Sequence, residues 1–195
     1  MKKKAWLSAL AVVLVLCCAV GGTLAWLTQK TDAVVNTFTV GDINITLTET
    51  EREYKMVPGN TIDKDPTVTV QAGSEACWLF VKVEESNWPD FKEADGTTRK
   101  VSYSVNNGWN VLKNTPGVYF REVSAEEAQK GIDYTVLAGN ENCPSGVIKV
   151  SQELTKAEIN SIRSSEKQPS LTFTAYAVQR AGIDTAAAAW ATVNS

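Results

Sequence analysis

From Phe38 to Val178 the apolar residues of this 195-residue chain recur mostly at every second position. That is the period of a strand with one face buried and one face in water. Phe38 and Val40 share one parity, and Ile43, Ile45 and Leu47 share the other, so the phase slips at Gly41-Asp42. A bulge or tight bend there keeps both sets on one core. Val68 and Val70 alternate with Thr67 and Thr69. Cys77, Leu79, Val81 and Val83 form one face of a longer strand whose other face carries Trp78 and Phe80, so it is expected to be covered on both sides at one end. Val101, Tyr103 and Val105 continue the pattern, and Asn107-Gly108 predicts a two-residue hairpin turn into residues 109–112. Residues 118–123, 134–137 and 147–150 read as further strands. Leu171, Phe173, Ala175 and Ala177 define a last long one, with Tyr176 and Val178 on its second face.

Helical signals are few. Ser124-x-x-Glu127 and Thr155-x-x-Glu158 are capping boxes, the second opening a helix to about Arg163. Asp184 is placed to cap a final Ala-rich turn through Ala186 to Trp190. The expected fold is all-β: an antiparallel, jelly-roll-like sandwich with short helical insertions.

The N-terminus follows different rules. Lys2, Lys3 and Lys4 precede an apolar run from Ala5 to Val20, and residues 21–25 supply small side chains. Positive charge, apolar core and small-residue exit make a helical secretory signal peptide. The run is short of the roughly 20 residues a bilayer span needs. The expected cut follows Ala25, so residues 1–25 are leader and residues 26–195 are one domain. Cys17 and Cys18 lack the small residue that a lipoprotein cut requires before them, and the C-terminus reads as carrying no sorting signal.

The chain holds 22 acidic and 19 basic residues, and losing the three leader lysines takes the net charge from −3 to −6. Such an acidic chain is a poor nucleic-acid binder. Its membrane contact is expected only through the leader. Two cysteines remain after cleavage, Cys77 and Cys143. They are either a disulfide, which would stabilise by roughly 4 kcal/mol, or two separate thiols.

The composition removes most catalytic chemistry. There is no His, which excludes a helical two-His zinc motif and any Ser-His or Cys-His pair. Two thiols do not complete a zinc site. No Gly-rich phosphate loop is present. Asp63-Lys64-Asp65 offers oxygens to a hard cation but reads as a solvated turn before Pro66. Glu84-Glu85 reads as an exposed strand end rather than half of a glycosidase pair. Trp78, Trp88, Trp109 and Trp190 read as core rather than as a sugar platform. The expectation is no catalytic residue, no metal and no cofactor.

Two segments carry a family resemblance. Gly22-Thr23-Leu24-Ala25-Trp26-Leu27-Thr28 is followed by Asn36-Thr37-Phe38-Thr39-Val40-Gly41-Asp42-Ile43-Asn44-Ile45-Thr46-Leu47-Thr48-Glu49. Together they resemble the TasA/camelysin family, exported proteins of Gram-positive bacteria cut by a dedicated SipW-type signal peptidase. Val57-Pro58-Gly59-Asn60, Lys64-Asp65-Pro66 and residues 172–179 are similar to family motifs, while the chain between about Ser86 and Asn142 is not. The resemblance implies a jelly-roll-like extracellular domain and, in its best-understood members, biofilm matrix fibres. There, the segment freed by cleavage adds a strand to the neighbouring subunit. The residues that would fill an acceptor groove are Trp26, Leu27, Val34, Val35, Phe38 and Val40, with a further copy or a related matrix subunit as partner. Trp26-Leu27 departs from the aromatic pair common in relatives. The family label also includes a metallo-endopeptidase, for which this sequence offers no His ligand and no zinc motif, and a surface adhesin is a third reading.

Overall fold

The computed structural model describes residues 42–50 and 55–193. These form ten strands and three short helices, and every strand pairing among them is antiparallel. The strands are β1 (Ile45–Thr48), β2 (Thr61–Asp63), β3 (Thr67–Val70), β4 (Cys77–Ser86), β5 (Val101–Tyr103), β6 (Asn110–Val111), β7 (Val118–Val123), β8 (Ile132–Thr135), β9 (Val147–Val150) and β10 (Ser170–Gln179). The helices are α1 (Ala125–Lys130), α2 (Lys156–Ser164) and α3 (Ala186–Val193). Three sheets result, with strand orders β1-β3-β8, β10-β4-β7-β6 and β2-β9-β5.

β4 is the pivot, and its two parities serve two cores as its sequence predicts. Cys77, Leu79, Val81 and Val83 join Val68 and Val70 of β3, Val123, Tyr134, Val136 and Trp109 in one buried cluster. Trp78 and Phe80 point the other way, into a second cluster with Leu112, Val118, Ala186 and Ala189. Register explains the aromatic row on that second face. Phe80 lies opposite both Tyr176 of β10 and Phe120 of β7. α3 covers the row: Trp190 packs against Phe80 at 5.1 Å and Tyr176 at 5.2 Å between ring centroids. Its buried residues are Ala186 and Ala189, small enough to bring the helix close to the sheet. A third cluster, Ile62, Val101, Ile148, Val150 and Leu154, lies under the β2-β9-β5 sheet with Trp88, Phe91 and Ile159.

Both capping boxes form. The Ser124 hydroxyl accepts from the Glu127 N–H while the Glu127 carboxylate accepts from the Ser124 N–H, and Thr155 and Glu158 do the same at α2. Glu158 also receives the ammonium of buried Lys100 at 3.0 and 3.1 Å, which fastens α2 beside β5. α3 differs in detail. Its first turn is capped by the Thr185 hydroxyl, which accepts from the Ala188 N–H, and not by Asp184. One glycine is required by its surroundings: Gly117 has φ 75°, and a Cβ there would stand 2.6 Å from the Val83 carbonyl oxygen.

Two strand expectations change. Residues 106–109 form a turn closed by the Trp109 N–H on the Asn106 carbonyl at 2.9 Å. It does not make a β5–β6 hairpin, because β5 pairs with β9 while β6 pairs with β7. Neither Asn107 nor Gly108 has the positive φ that a primed two-residue turn requires. The strand expected over 134–137 begins earlier, at Ile132, and Leu137 leaves it to bridge Val105. The phase slip at Gly41-Asp42, the strand over 38–40 and the domain boundary at residue 26 lie outside the described residues. Among the described residues, no helix is long and apolar enough to cross a membrane.

Candidate functional site

Among the described residues, all three sheets are open, and two of their edge strands lie near each other. β1 pairs with β3 alone, and β10, ten residues long, pairs with β4 alone. The two free edges face each other. At one end, the Asp42 and Asn44 carbonyls accept from Glu75 and Gln71, next to the point where the Arg180 N–H bonds Ala76. At the other end, Leu47, Thr48 and Glu49 share a cavity of about 440 Å³ with Leu171, Thr172, Phe173, Lys64 and Pro66. β1 and β10 therefore run antiparallel on either side of a slit with no ladder between them among the described residues.

The slit opens onto the main core. Ile45 and Leu47 from one side, and Leu171, Phe173, Ala175 and Ala177 from the other, pack against the central cluster yet remain only partly buried. Apolar contact and strand edges that have no ladder partner among the described residues thus coincide along one line. A long exposed edge of this kind is a template for a further strand. Where strand addition occurs, main-chain groups supply affinity and alternate side-chain positions supply selectivity.

The cavity end is polar and braced. Lys64 is buried, its ammonium 5.4 Å from the Phe173 ring centroid and paired with the Glu49 carboxylate. Its backbone N–H bonds the Gly146 carbonyl, which ties this end to the β8–β9 connection. Beside it, Asp65 accepts from the Thr50 N–H at 3.0 Å and the Thr50 hydroxyl at 2.5 Å. The hydroxyl bond is the first of the contacts that hold the Asp65 carboxyl below its ordinary range. Lys64 and Asp65 of the triplet thus brace the end of β1, with Lys64 turned inward, while Asp63 is exposed at the end of β2. Among the described residues no group of three or more acidic, Cys or His side chains could hold a metal ion.

The other sequence candidates resolve individually. Glu84 pairs with Lys82, and Glu85 takes the Arg99 guanidinium at 2.8 and 2.9 Å together with the Tyr103 hydroxyl at 3.0 Å. Both are engaged in ion pairs with neighbours, not with each other. The four tryptophans are spread over three clusters, and three indole N–H groups are anchored: Trp78 on Ile183, Trp88 on Val101 and Trp109 on Thr135. They form no shared platform. Trp109 sits under Arg121, whose guanidinium lies 5.5 Å from its ring and 3.6 Å from that of Tyr134.

Cys77 and Cys143 stand as two separate buried thiols, the second of the two alternatives. Cys77 starts β4, opposite Gln179. Cys143 is in the loop where its thiol meets the Gly146 carbonyl at 3.2 Å, close to Lys64 and therefore to Phe173, which lies opposite Val83. Val83 is six residues along β4 from Cys77, or roughly 20 Å of strand, whereas a disulfide needs Cα atoms within about 7 Å.

Ala25, Trp26, Leu27, Val34, Val35, Phe38 and Val40, the residues expected to serve cleavage and assembly, lie outside the described residues. The slit itself escaped sequence reasoning, because strand neighbours are set by long-range pairing that local alternation does not encode. A faint signal exists in β10, whose alanines at Ala175 and Ala177 leave less side-chain bulk at that edge than the leucines and valines of β4. Comparison with protein-family models, with curated proteins and with solved structures finds no match.

Proposed function

We propose that this chain is a secreted, non-catalytic structural protein of the extracellular matrix that assembles by strand addition. After cleavage at Ala25-Trp26, residues 26–40 of one copy, or the corresponding segment of a related matrix subunit, pair with an open sheet edge of the next. The observation that carries this reading is the slit between β1 and β10. It brings together two antiparallel edges that are unpaired among the described residues, with the core partly open between them. β1 and β10 lie within 8 Å at some Cα pairs, so a strand that enters, parallel to one and antiparallel to the other, parts them to two strand spacings, about 9.5 Å. The alternating Phe38 and Val40, with Val34 and Val35, match the apolar, partly buried positions that flank the slit.

Three further points support it. The leader directs the chain outside the cell. The resemblance to the TasA/camelysin family implies a jelly-roll-like sandwich, and the β1-β3-β8 and β10-β4-β7-β6 sheets contribute to one core as its two layers would. The carboxylates singled out as catalytic candidates are engaged in ion pairs or turns, which favours assembly over the metallo-endopeptidase reading.

The test is to compare protein beginning at Trp26 with protein beginning at Gly41 in electron micrographs. Filaments or defined oligomers from the first and monomers from the second are expected. Equal assembly by both overturns strand addition, and chelator-sensitive hydrolysis of casein by a pure preparation overturns the non-catalytic reading.

A further inference from the structure

An acidic or amide residue precedes glycine in two exposed turns, and the structure treats the two differently. Asp95-Gly96 is locked. The Asp95 carboxylate accepts from the Thr97 and Thr98 N–H groups at 2.8 Å each and from the Thr98 hydroxyl at 2.5 Å. These bonds, the Thr98 hydroxyl first, hold its carboxyl down at about 2. An ionised carboxylate fixed by three donors has neither the leaving group nor the freedom to be attacked by the next backbone nitrogen. Asn107-Gly108 is open. Asn107 and Gly108 are both exposed, and the Asn107 carboxamide makes no hydrogen bond to any described residue. The Gly108 N–H donates to the side-chain oxygen of half-buried Asn106, at 3.0 Å, and the Asn106 amide nitrogen donates to the Thr135 hydroxyl at 3.2 Å. A bond of that kind is worth roughly 1 kcal/mol. Gly108 lacks a Cβ that would shield its nitrogen, and the nearest atoms to that space are the movable guanidinium nitrogens of Arg121, at 3.2 and 3.3 Å.

We propose that Asn107 is a site of spontaneous deamidation in the folded protein. The Gly108 backbone nitrogen loses its proton to solvent and forms a bond to the Asn107 Cγ. The bond from Cγ to the carboxamide nitrogen breaks, and that nitrogen takes a proton from water and leaves as ammonia. The resulting five-membered succinimide adds one water across either of its carbonyl-to-nitrogen bonds. The products are an aspartate in the ordinary linkage at this position, or an isoaspartyl linkage that carries the main chain through the former side chain. No oxidant, metal or enzyme is consumed. This proposal is independent of the assembly reading.

The location gives the reaction a structural consequence. The new carboxylate arises one residue before Gly108, whose side-chain space is bordered by Arg121, and Arg121 stacks on Tyr134 and Trp109. The isoaspartyl form lengthens the main chain inside the turn that the Trp109 N–H closes on Asn106. Trp109 itself stays anchored by its indole N–H on Thr135, so the change concentrates in the turn.

The test is timed incubation of the folded protein in mildly alkaline and in mildly acidic buffer, followed by trypsin and mass spectrometry. The tryptic peptide spanning residues 101–113 is expected to gain about one mass unit in the alkaline arm, with fragmentation placing the gain at Asn107 and two chromatographic isomers appearing. An isoaspartyl methyltransferase should label that peptide and not the one containing Asp95. Gly108→Ala should slow the gain, and Asn107→Ser should abolish it at this position. The proposal is overturned if the folded protein shows no gain while the denatured chain does. A gain confined to Asn106 or Asn110, or isoaspartate at residue 95, overturns it as well.

Discussion

Cys77 shows how position decides the chemistry of a side chain. Burial at the head of β4 pushes its thiol up to about 11, so the thiolate is scarce at neutral pH. The native protein should therefore leave Cys77 unmodified by a maleimide at neutral pH, and unfolding the cleaved protein in denaturant should release two titratable thiols. A preparation of the cleaved protein with no thiol after unfolding would mean that the cysteines are bridged. Asp95 is the opposite case, an exposed group tuned by hydrogen bonds alone. Its carboxyl falls from the ordinary 3.8 to about 2 in the folded chain. Between those values the unfolded chain binds more protons, so the contribution is fully present above 3.8 and is lost as pH falls toward 2. Glu127 and Glu158 shift in the same direction, led by the Ser124 and Thr155 backbone bonds of their caps. Melting temperature should fall between about pH 5 and pH 2.5. Asp95→Ala should flatten part of that fall, and an unchanged slope would contradict the role given to this turn.

Secondary elements divide by how local their causes are. The two capping boxes are four-residue signals, and both helices start where those signals stand. β4 was legible for the same reason: its two faces are written in alternate residues, Cys77-Leu79-Val81-Val83 against Trp78-Phe80. The β5–β6 hairpin was not, because Asn107-Gly108 specifies a turn but cannot specify which sheet each flank joins. Leu137 likewise reads as strand yet serves as a bridge to Val105. α3 shows local and long-range causes acting together. Its alanines favour helix anywhere, and their small size then lets the helix settle onto the Tyr176-Phe80-Phe120 row. Ala189→Leu inserts volume where there is none and should cost about 1–3 kcal/mol, lowering the melting temperature by several degrees. An unchanged melting temperature would show that α3 is only loosely docked.

At the scale of the molecule, three small sheets leave edges that a strand as short as β1 does not close. Alternation announced an antiparallel all-β chain, and the absence of His removed the commonest catalytic arrangements. What alternation could not announce is that β1 and β10, near opposite ends of the sequence, would end up as neighbours without a shared ladder. That outcome depends on the partners each strand finds, β3 for one and β4 for the other. The leader junction and the slit are thus read from opposite ends of the problem: one is a contiguous motif, the other a product of topology. In the proposed strand addition they are donor and acceptor. The most direct measurement is electron microscopy of the protein beginning at Trp26 beside the same chain beginning at Gly41, with circular dichroism confirming that the shorter chain keeps its β structure. Filaments or defined oligomers are expected from the first and folded monomers from the second. Assembly that persists in a folded protein lacking residues 26–40 would contradict the donor role of that segment.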